Sequence, residues 1–397
     1  MKKLLLALAA TTMLTGSAFA GSHSPVKIGV ILGFTGPIES ITPAMGAAAE
    51  LAMKEVSDSG KLLDGVKVES VRADSTCVDA AAATAAAERL ITSDKVAAIM
   101  GADCSGVTGA ILQNAARPNG IVMISPSATS PGLSDAEDDG LFFRTAPSDA
   151  RQGEIVADIL TGKGVKSIAI TYTNNDYGKG LSDAIKANFE KAGGTVTIVA
   201  AHEDGKGDYS AEVGALAQAG GEVLVVAGYV DQGGKGVIQG ALDTGAFDTF
   251  YLPDGMVGDS LAEAIGEGLN GSYGANPGTD SPGAASFQEM AKAADFDGTS
   301  SFAAESYDAA ALIMLAMEAA GSTASADLKA KVMDVANAPG EKIFPGELAK
   351  ALELIKAGTD IDYVGATAVE LIGPGESAGN YREIEIKDGK LSVVGYR

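Results

Sequence analysis

Short apolar runs alternate with longer segments in which apolar and small residues recur at helical spacing, and this rhythm governs most of the chain. Val26-Lys27-Ile28-Gly29-Val30-Ile31-Leu32 reads as a buried strand closed by Gly33. Thr42-Pro43 then supplies an N-cap and a proline at the first helical position, which predicts a helix to about Val56. Strands follow at 66–71, 96–100 and 121–125, with helices between them at 80–90, capped by Asp79, and at 107–116. A polar stretch at 134–140 leads to Phe142-Phe143-Arg144-Thr145, and the rhythm restarts. Helices at 151–160, 181–192, 209–219 and 234–244 alternate with strands at 167–172, 195–200, 223–227 and 250–252. The Gly-, Ser-, Pro- and Asn-rich stretch 271–283 reads as a second crossing between halves. Helical pattern returns at 303–320, and again after Pro345-Gly346-Glu347-Leu348 to about Lys356. The C-terminus reads as a hairpin turned at Asp388-Gly389. Strands alternating with helices predict an α/β protein of two similar, Rossmann-like halves, each with a parallel sheet covered on both faces.

The first twenty residues follow a different pattern. Lys2 and Lys3 precede an apolar run from Leu4 to Leu14, and Ala18-Phe19-Ala20 offers small residues for a signal peptidase. This predicts a secretory signal peptide over 1–20, cleaved to leave Gly21 first, with no cysteine beside the cut to carry a lipid. No later run approaches the apolar length of a membrane span, so an exported, soluble mature protein is expected.

Composition narrows the function classes. The chain of 397 residues is 46% apolar, enough for sizeable cores, and its net charge is −23. Such a field repels phosphate backbones and anionic lipid, which argues against nucleic-acid and membrane-surface partners. His23 and His202 are the only histidines, and both are expected on the solvated surface. A histidine-based metal site or a Ser-His-Asp triad has almost no material, so a hydrolase is disfavoured and no cofactor is implied. Cys77 and Cys104 each follow a predicted strand; in an oxidising compartment they favour a disulfide over two separate buried thiols.

Ligands of open α/β sheets bind beyond the carboxyl ends of the strands. Those segments carry Gly33-Phe34-Thr35-Gly36-Pro37, Cys104-Ser105-Gly106 and Pro126-Ser127-Ala128-Thr129 in the first half. The second half offers Asn174-Asn175-Asp176-Tyr177-Gly178, Gly228-Tyr229 and Pro253-Asp254-Gly255. Hydroxyls and exposed amides on one side, tyrosines and an acid on the other, suit a small zwitterion. Ser105 and Thr129 can hold a carboxylate, Asp254 can accept from an ammonium, and Tyr177 and Tyr229 can cover an apolar body. Each has a plainer use as well: a helix cap, half-buried packing, or a Pro-Asp-Gly turn.

The ordered set of these motifs, with Ile124-Ser125-Pro126-Ser127-Ala128-Thr129-Ser130-Pro131, Asp176-Tyr177-Gly178-Lys179-Gly180 and Gly207-Asp208-Tyr209-Ser210, resembles the periplasmic leucine/isoleucine/valine-type substrate-binding proteins of ABC transporters. The resemblance implies a type I periplasmic binding fold with two lobes joined by a three-stranded hinge and closing on ligand. One lobe is expected from 21–146 and 280–372, the other from 147–279 and 373–397. It also implies a monomer that binds an amino acid, aliphatic or branched-chain, and presents it to an inner-membrane ABC permease. Ser105 and Thr129 match positions holding the α-carboxylate, Ser127 matches the one whose backbone faces the ammonium, with Ala128 beside it as a further ligand-binding candidate, and Tyr177 and Tyr229 match second-lobe contacts. Asp254 matches an acid, usually glutamate, that pairs with the ammonium, and Cys77 and Cys104 match a first-lobe disulfide. Ile41 stands where an aromatic residue is common, and Asp254 is shorter than glutamate; both bear on side-chain preference. The same fold binding an amide, urea or aromatic acid, and a ligand sensor for a membrane receptor, are the alternative readings. The segment 332–373 has no role in the resemblance.

Overall fold

The computed structural model describes residues 24–397, so the signal-peptide segment and His23 lie outside the described residues. The predicted alternation occurs twice with one topology. Strands β1 (Val26–Leu32), β2 (Val68–Asp74), β3 (Ala98–Gly101), β4 (Met123–Ser125) and β5 (Phe142–Pro147) pair in parallel in the order β2-β1-β3-β4-β5. Strands β6 (Ser167–Thr173), β7 (Thr195–His202), β8 (Val223–Ala227), β9 (Phe250–Leu252) and β10 (Tyr273–Pro277) repeat it as β7-β6-β8-β9-β10. These are two lobes of the type I periplasmic binding fold.

The edges are mixed rather than parallel. In chain order the remaining strands are β11 (Glu341–Ile343), β12 (Ile361–Tyr363), β13 (Leu371–Ile372), β14 (Glu376–Ser377), β15 (Tyr381–Lys387) and β16 (Lys390–Tyr396). The first sheet is extended by β14 and β13, and the second by the antiparallel hairpin β15–β16, predicted from its Asp388-Gly389 turn. The chain passes between sheets after Pro147, after Pro277, and between Ser377 and Tyr381. The stretch 271–283 is thus not all crossing. Its first part is the buried strand β10, where Gly274 lets the backbone lie against Leu252, a contact a Cβ would prevent. Glu376 and Ser377, placed in the second lobe by the division at 372, pair with β5 in the first sheet.

The helix Ala303–Ala320 is buried along nearly all its length, as its even coat of alanine and large aliphatic residues requires, and packs on Thr42–Ser59. Thr42 does not cap that second helix: its hydroxyl donates to Gly33 O at 3.0 Å and ties the helix to the loop after β1. Asp79 is the predicted cap, accepting from the amides of Ala81 and Ala82 at 3.0 Å each. The segment 332–373 builds a small parallel sheet, β11–β12, and the helix Leu348–Lys356 on the first lobe. Asp308 anchors it by accepting from Tyr363, Ala366 and Thr367 at 2.6–2.9 Å.

His202 corrects the surface assignment. It ends β7 at 1% exposure, with Nδ1 2.8 Å from Thr171 Oγ1 and its ring edge-on to Tyr209. The strand continues two residues beyond its predicted end, which carries the ring inward, and burial lowers its pKa to about 4.

Cys77 and Cys104 form a disulfide, their Cα atoms 5.1 Å apart, across the ends of β2 and β3. The bridge closes a loop with a sequence separation of 27. The Cys77→Ala/Cys104→Ala double variant should lose about 3–4 kcal/mol of unfolding free energy in denaturant titration. An unchanged midpoint would contradict a structural role for the bridge.

Candidate functional site

The segments following the carboxyl ends of both sets of strands meet between the lobes. From the first lobe come Ile38 and Ile41 after β1, Asp103, Cys104 and Ser105 after β3, and Ser127 after β4. From the second come Tyr177 after β6, Tyr229 after β8, and Asp254 and Gly255 after β9. Phe302, at the start of Ala303–Ala320, completes the lining. The space between them is only ≈ 20 Å³, room for about one water. A wider groove of ≈ 870 Å³ lies between Ser210–Ala219 and Gly233–Thr244. It is open, belongs to the second lobe alone and gathers none of the predicted residues.

The lobes touch at the mouth of this space. Asp231 N donates to Pro37 O at 3.0 Å, and the Asp231 carboxylate accepts from Ser40 N and Ser260 Oγ, each at 2.9 Å. Gly180 lies where a Cβ would come within 2.8 Å of Pro131, a second close approach.

On the second-lobe wall the rings of Tyr177 and Tyr229 stack, centroids 5.2 Å apart at 17°. The helix Asp176–Lys191 starts five residues before its predicted start, because Asn175 caps it through Gly178 N at 3.0 Å. Tyr177 therefore sits in a helical first turn, not in a loop. Its hydroxyl donates to Asp254 Oδ1 at 2.7 Å, and Gly255 N donates to the same oxygen at 2.8 Å. The Asp254 main-chain N–H donates to Gln152 Oε1 at 3.3 Å. Asp254 is 1% exposed, and no Lys, Arg or His pairs with it among the described residues. Burial raises its pKa, opposed by Tyr177, Gly255 and Gln152. The Tyr177 hydroxyl is pushed well above its usual range by burial and by Asp254.

The first-lobe wall presents hydroxyls beside the acid Asp103. Ser105 Oγ accepts from Ser130 N at 3.0 Å, which leaves its own hydrogen to donate elsewhere. Ser127 Oγ donates to Asp103 O at 3.2 Å. Ala128 and Thr129 are not in the lining; they are buried just behind it. Ala128 N is occupied by Ser125 Oγ at 2.9 Å, while Thr129 Oγ1 has no partner within hydrogen-bond distance. Arg144 fixes this loop, donating to Ala128 O and Ser130 O at 2.9 Å and to Glu376 Oε2 at 2.5 Å.

Three lining residues had no signal in the sequence reading. Asp103 is a buried acid whose oxygens are both consumed, by Gly33 N on one side and by Ser75 Oγ and Cys104 N at 2.8 and 2.9 Å on the other. It stitches the β1 loop to the disulfide. Ile38 and Phe302 are apolar residues in loops with no periodic pattern. Phe302 adopts φ +62°, a costly left-handed conformation for a bulky residue, held by the packing around it. Ile41 was singled out by its place in the first loop.

A narrow cleft with two buried acids that no cation pairs among the described residues, stacked aromatics and a hydroxyl wall suits a small organic solute. A family model described as periplasmic binding protein matches residues 25–347, and the chain belongs to that family. It is similar to Leu/Ile/Val-binding protein homolog 1 of Brucella melitensis, with 31% identity over 323 residues, spanning 80% of this chain and 83% of the relative. Among solved structures it resembles a branched-chain amino acid transporter substrate-binding protein of Streptococcus pneumoniae in complex with isoleucine (TM-score 0.76, 23% identity, 93% and 99% of the two chains). A solute-binding protein of R. palustris in complex with benzoate is similar in fold too (TM-score 0.75, 20% identity, 94% and 96%). The fold therefore carries more than one ligand chemistry, and the lining must decide between them.

Gly255 makes the acid's position testable. A Cβ there would lie 2.6 Å from Gly228 O and 2.7 Å from the Tyr177 hydroxyl, so alanine has to displace the Tyr177–Asp254 pair. Gly255→Ala should lower unfolding free energy by about 1–3 kcal/mol in chemical denaturation while the fold persists. A wild-type midpoint would contradict this packing.

Proposed function

We propose that this protein is the periplasmic solute-binding component of an ABC importer and that it binds a branched-chain or other aliphatic amino acid between its lobes. The observation that carries the reading is Asp254, a buried carboxylate on the ligand-facing wall with no cationic partner. A ligand ammonium supplies that partner. A carboxylic acid without an amine would leave Asp254 uncompensated, which favours an amino acid over an aromatic acid. Ser105 stands opposite with its hydroxyl hydrogen free for the ligand carboxylate, beside Ser127 and in front of the buried Thr129. Ile38, Ile41, Phe302, Tyr177 and Tyr229 give the side chain an apolar surround, and nothing cationic lines the cleft to hold a second carboxylate.

The protein performs no bond-making step in this reading. Ligand contacts to both walls favour the closed arrangement, and the closed arrangement is what the permease reads. The family resemblance of the described chain, together with the signal-peptide pattern in 1–20, supports delivery to the periplasm.

Leucine, isoleucine or valine at about 100 times its dissociation constant should add about 2.7 kcal/mol of stability, seen as a thermal shift that glutamate and lysine do not produce. Breaking an ammonium–carboxylate pair in a closed site costs about 3–5 kcal/mol. Calorimetry on Asp254→Asn should accordingly show binding weakened by at least about tenfold with an unchanged circular dichroism spectrum. Binding equal to the parent would reduce Asp254 to a turn residue and overturn the reading.

A further inference from the structure

A second acid lies behind Asp254, outside the cleft lining. Asp149 opens the helix Asp149–Gly162 at 0% exposure, and Gln152 bridges the two acids. Gln152 Nε2 donates to Asp149 Oδ1 at 3.0 Å while its Oε1 accepts from Asp254 N. Neither Asp149 Oδ2 nor the neighbouring Thr129 Oγ1 has a partner within hydrogen-bond distance, and the hydroxyls of Tyr251 and Tyr381, both within the field of Asp254, are likewise buried and unpartnered. Two ionised carboxylates in so dry a pocket would repel each other.

We propose that Asp149 holds a proton and so leaves Asp254 as the single anion that receives the ligand. Asp149 is a positioning residue here: its neutral carboxyl keeps Gln152 oriented toward the Asp254 backbone. The charged and titratable groups around Asp149 agree. Burial and Asp254 push its proton affinity up, and the Thr129 hydroxyl and the Arg144 guanidinium oppose them. Tyr177 from Asp176–Lys191 and Tyr381 from β15 are neutral, with their own pKa values raised by burial and by the same two acids. Arg151, on the helix of Asp149 itself, acts on Tyr381 and is paired with Glu154.

The sign of the consequence is fixed. A carboxyl with a raised folded-state pKa binds more protons folded than unfolded, so stability falls as pH rises from the ordinary carboxylate range through the raised value. Asp149→Asn keeps the shape and removes the titration, so this part of the decline, worth up to one proton, should disappear.

The proposal rests on the reading of Asp254 as the ligand's anion, but its test uses ligand-free protein. Infrared spectra at pH 7 should show the carbonyl stretch of a protonated carboxylic acid, and Asp149→Asn should remove that intensity while the contribution of Glu305, a buried acid on Ala303–Ala320 whose pKa burial raises to about 7, stays. Thermal melts from pH 5 to 9 should give the variant a flatter profile than the parent. If Asp149→Asn fails to fold, Asp254→Asn serves instead: without the neighbouring charge, the same band should disappear at lower pH than in the parent. An infrared band unchanged by Asp149→Asn, or a lower but parallel melting profile, would overturn the proposal, as would a band midpoint unmoved in Asp254→Asn. Should Asp254→Asn bind amino acids normally while Asp149→Asn still removes the band, the ligand assignment fails and the protonated Asp149 stands.

Discussion

A carboxylate held between two lobes without a cation is the constraint from which the rest of this site follows. Water is the usual solvent for such a charge, and the closed lobes remove it. The protein compensates partly, with the Tyr177 hydroxyl, the Gly255 amide and the Gln152 side chain, all of which favour the charged form of Asp254. Each substitute demands further structure. Tyr177 must sit in the first turn of a helix capped by Asn175, Gly255 must lack a side chain, and Gln152 must be held by Asp149. The compensation stops short of a counter-ion, and in the proposed function the ligand ammonium supplies one.

The opposite wall is organised by a buried cation that lies outside the cleft lining. Arg144 gathers Ala128 O, Ser130 O, Ser134 Oγ and Glu376 Oε2, so the β4 loop and β14 are fixed by one guanidinium. Because β14 lies immediately before the last crossing to β15, the shape of the hydroxyl wall and the path of one connection are coupled. Closure then needs only short-range contacts at the mouth, and Asp231 makes them with Pro37 and Ser40. Contacts of this kind are weak singly and exposed to water, which suits a motion that must reverse on release.

Much of this was legible from the residues. The strand–helix rhythm predicted two similar α/β halves, and several elements, Val223–Ala227, Phe250–Leu252 and Ala303–Ala320 among them, occupy the predicted spans. Their signals are local: apolar runs, caps and glycine ends. The positions that differ depend on tertiary context. β10 hides in a Gly/Pro/Asn-rich stretch because its strand identity comes from pairing with β9 and β15, not from its own side chains. His202 is buried by two extra residues of β7. At the site, Ser105, Ser127, Tyr177, Tyr229 and Asp254 meet as strand-end logic implies, while Ala128 and Thr129 stand one layer back. Asp103, Asp149 and Phe302 could not be found this way. Their importance lies in burial and in partners distant in sequence, and an isolated acid or phenylalanine in a loop carries no trace of either.

The account turns on whether the ligand must bring an ammonium to the cleft. Calorimetric titration of the unmodified protein with an aliphatic amino acid and with its desamino analogue, at matched pH and salt, tests this most directly. The prediction is saturable binding of the amino acid and a loss of at least about two decades in affinity for the analogue, the penalty for leaving a buried charge unpaired. Equal affinity for the two would show that the buried acid plays no part in recognition and would contradict the account.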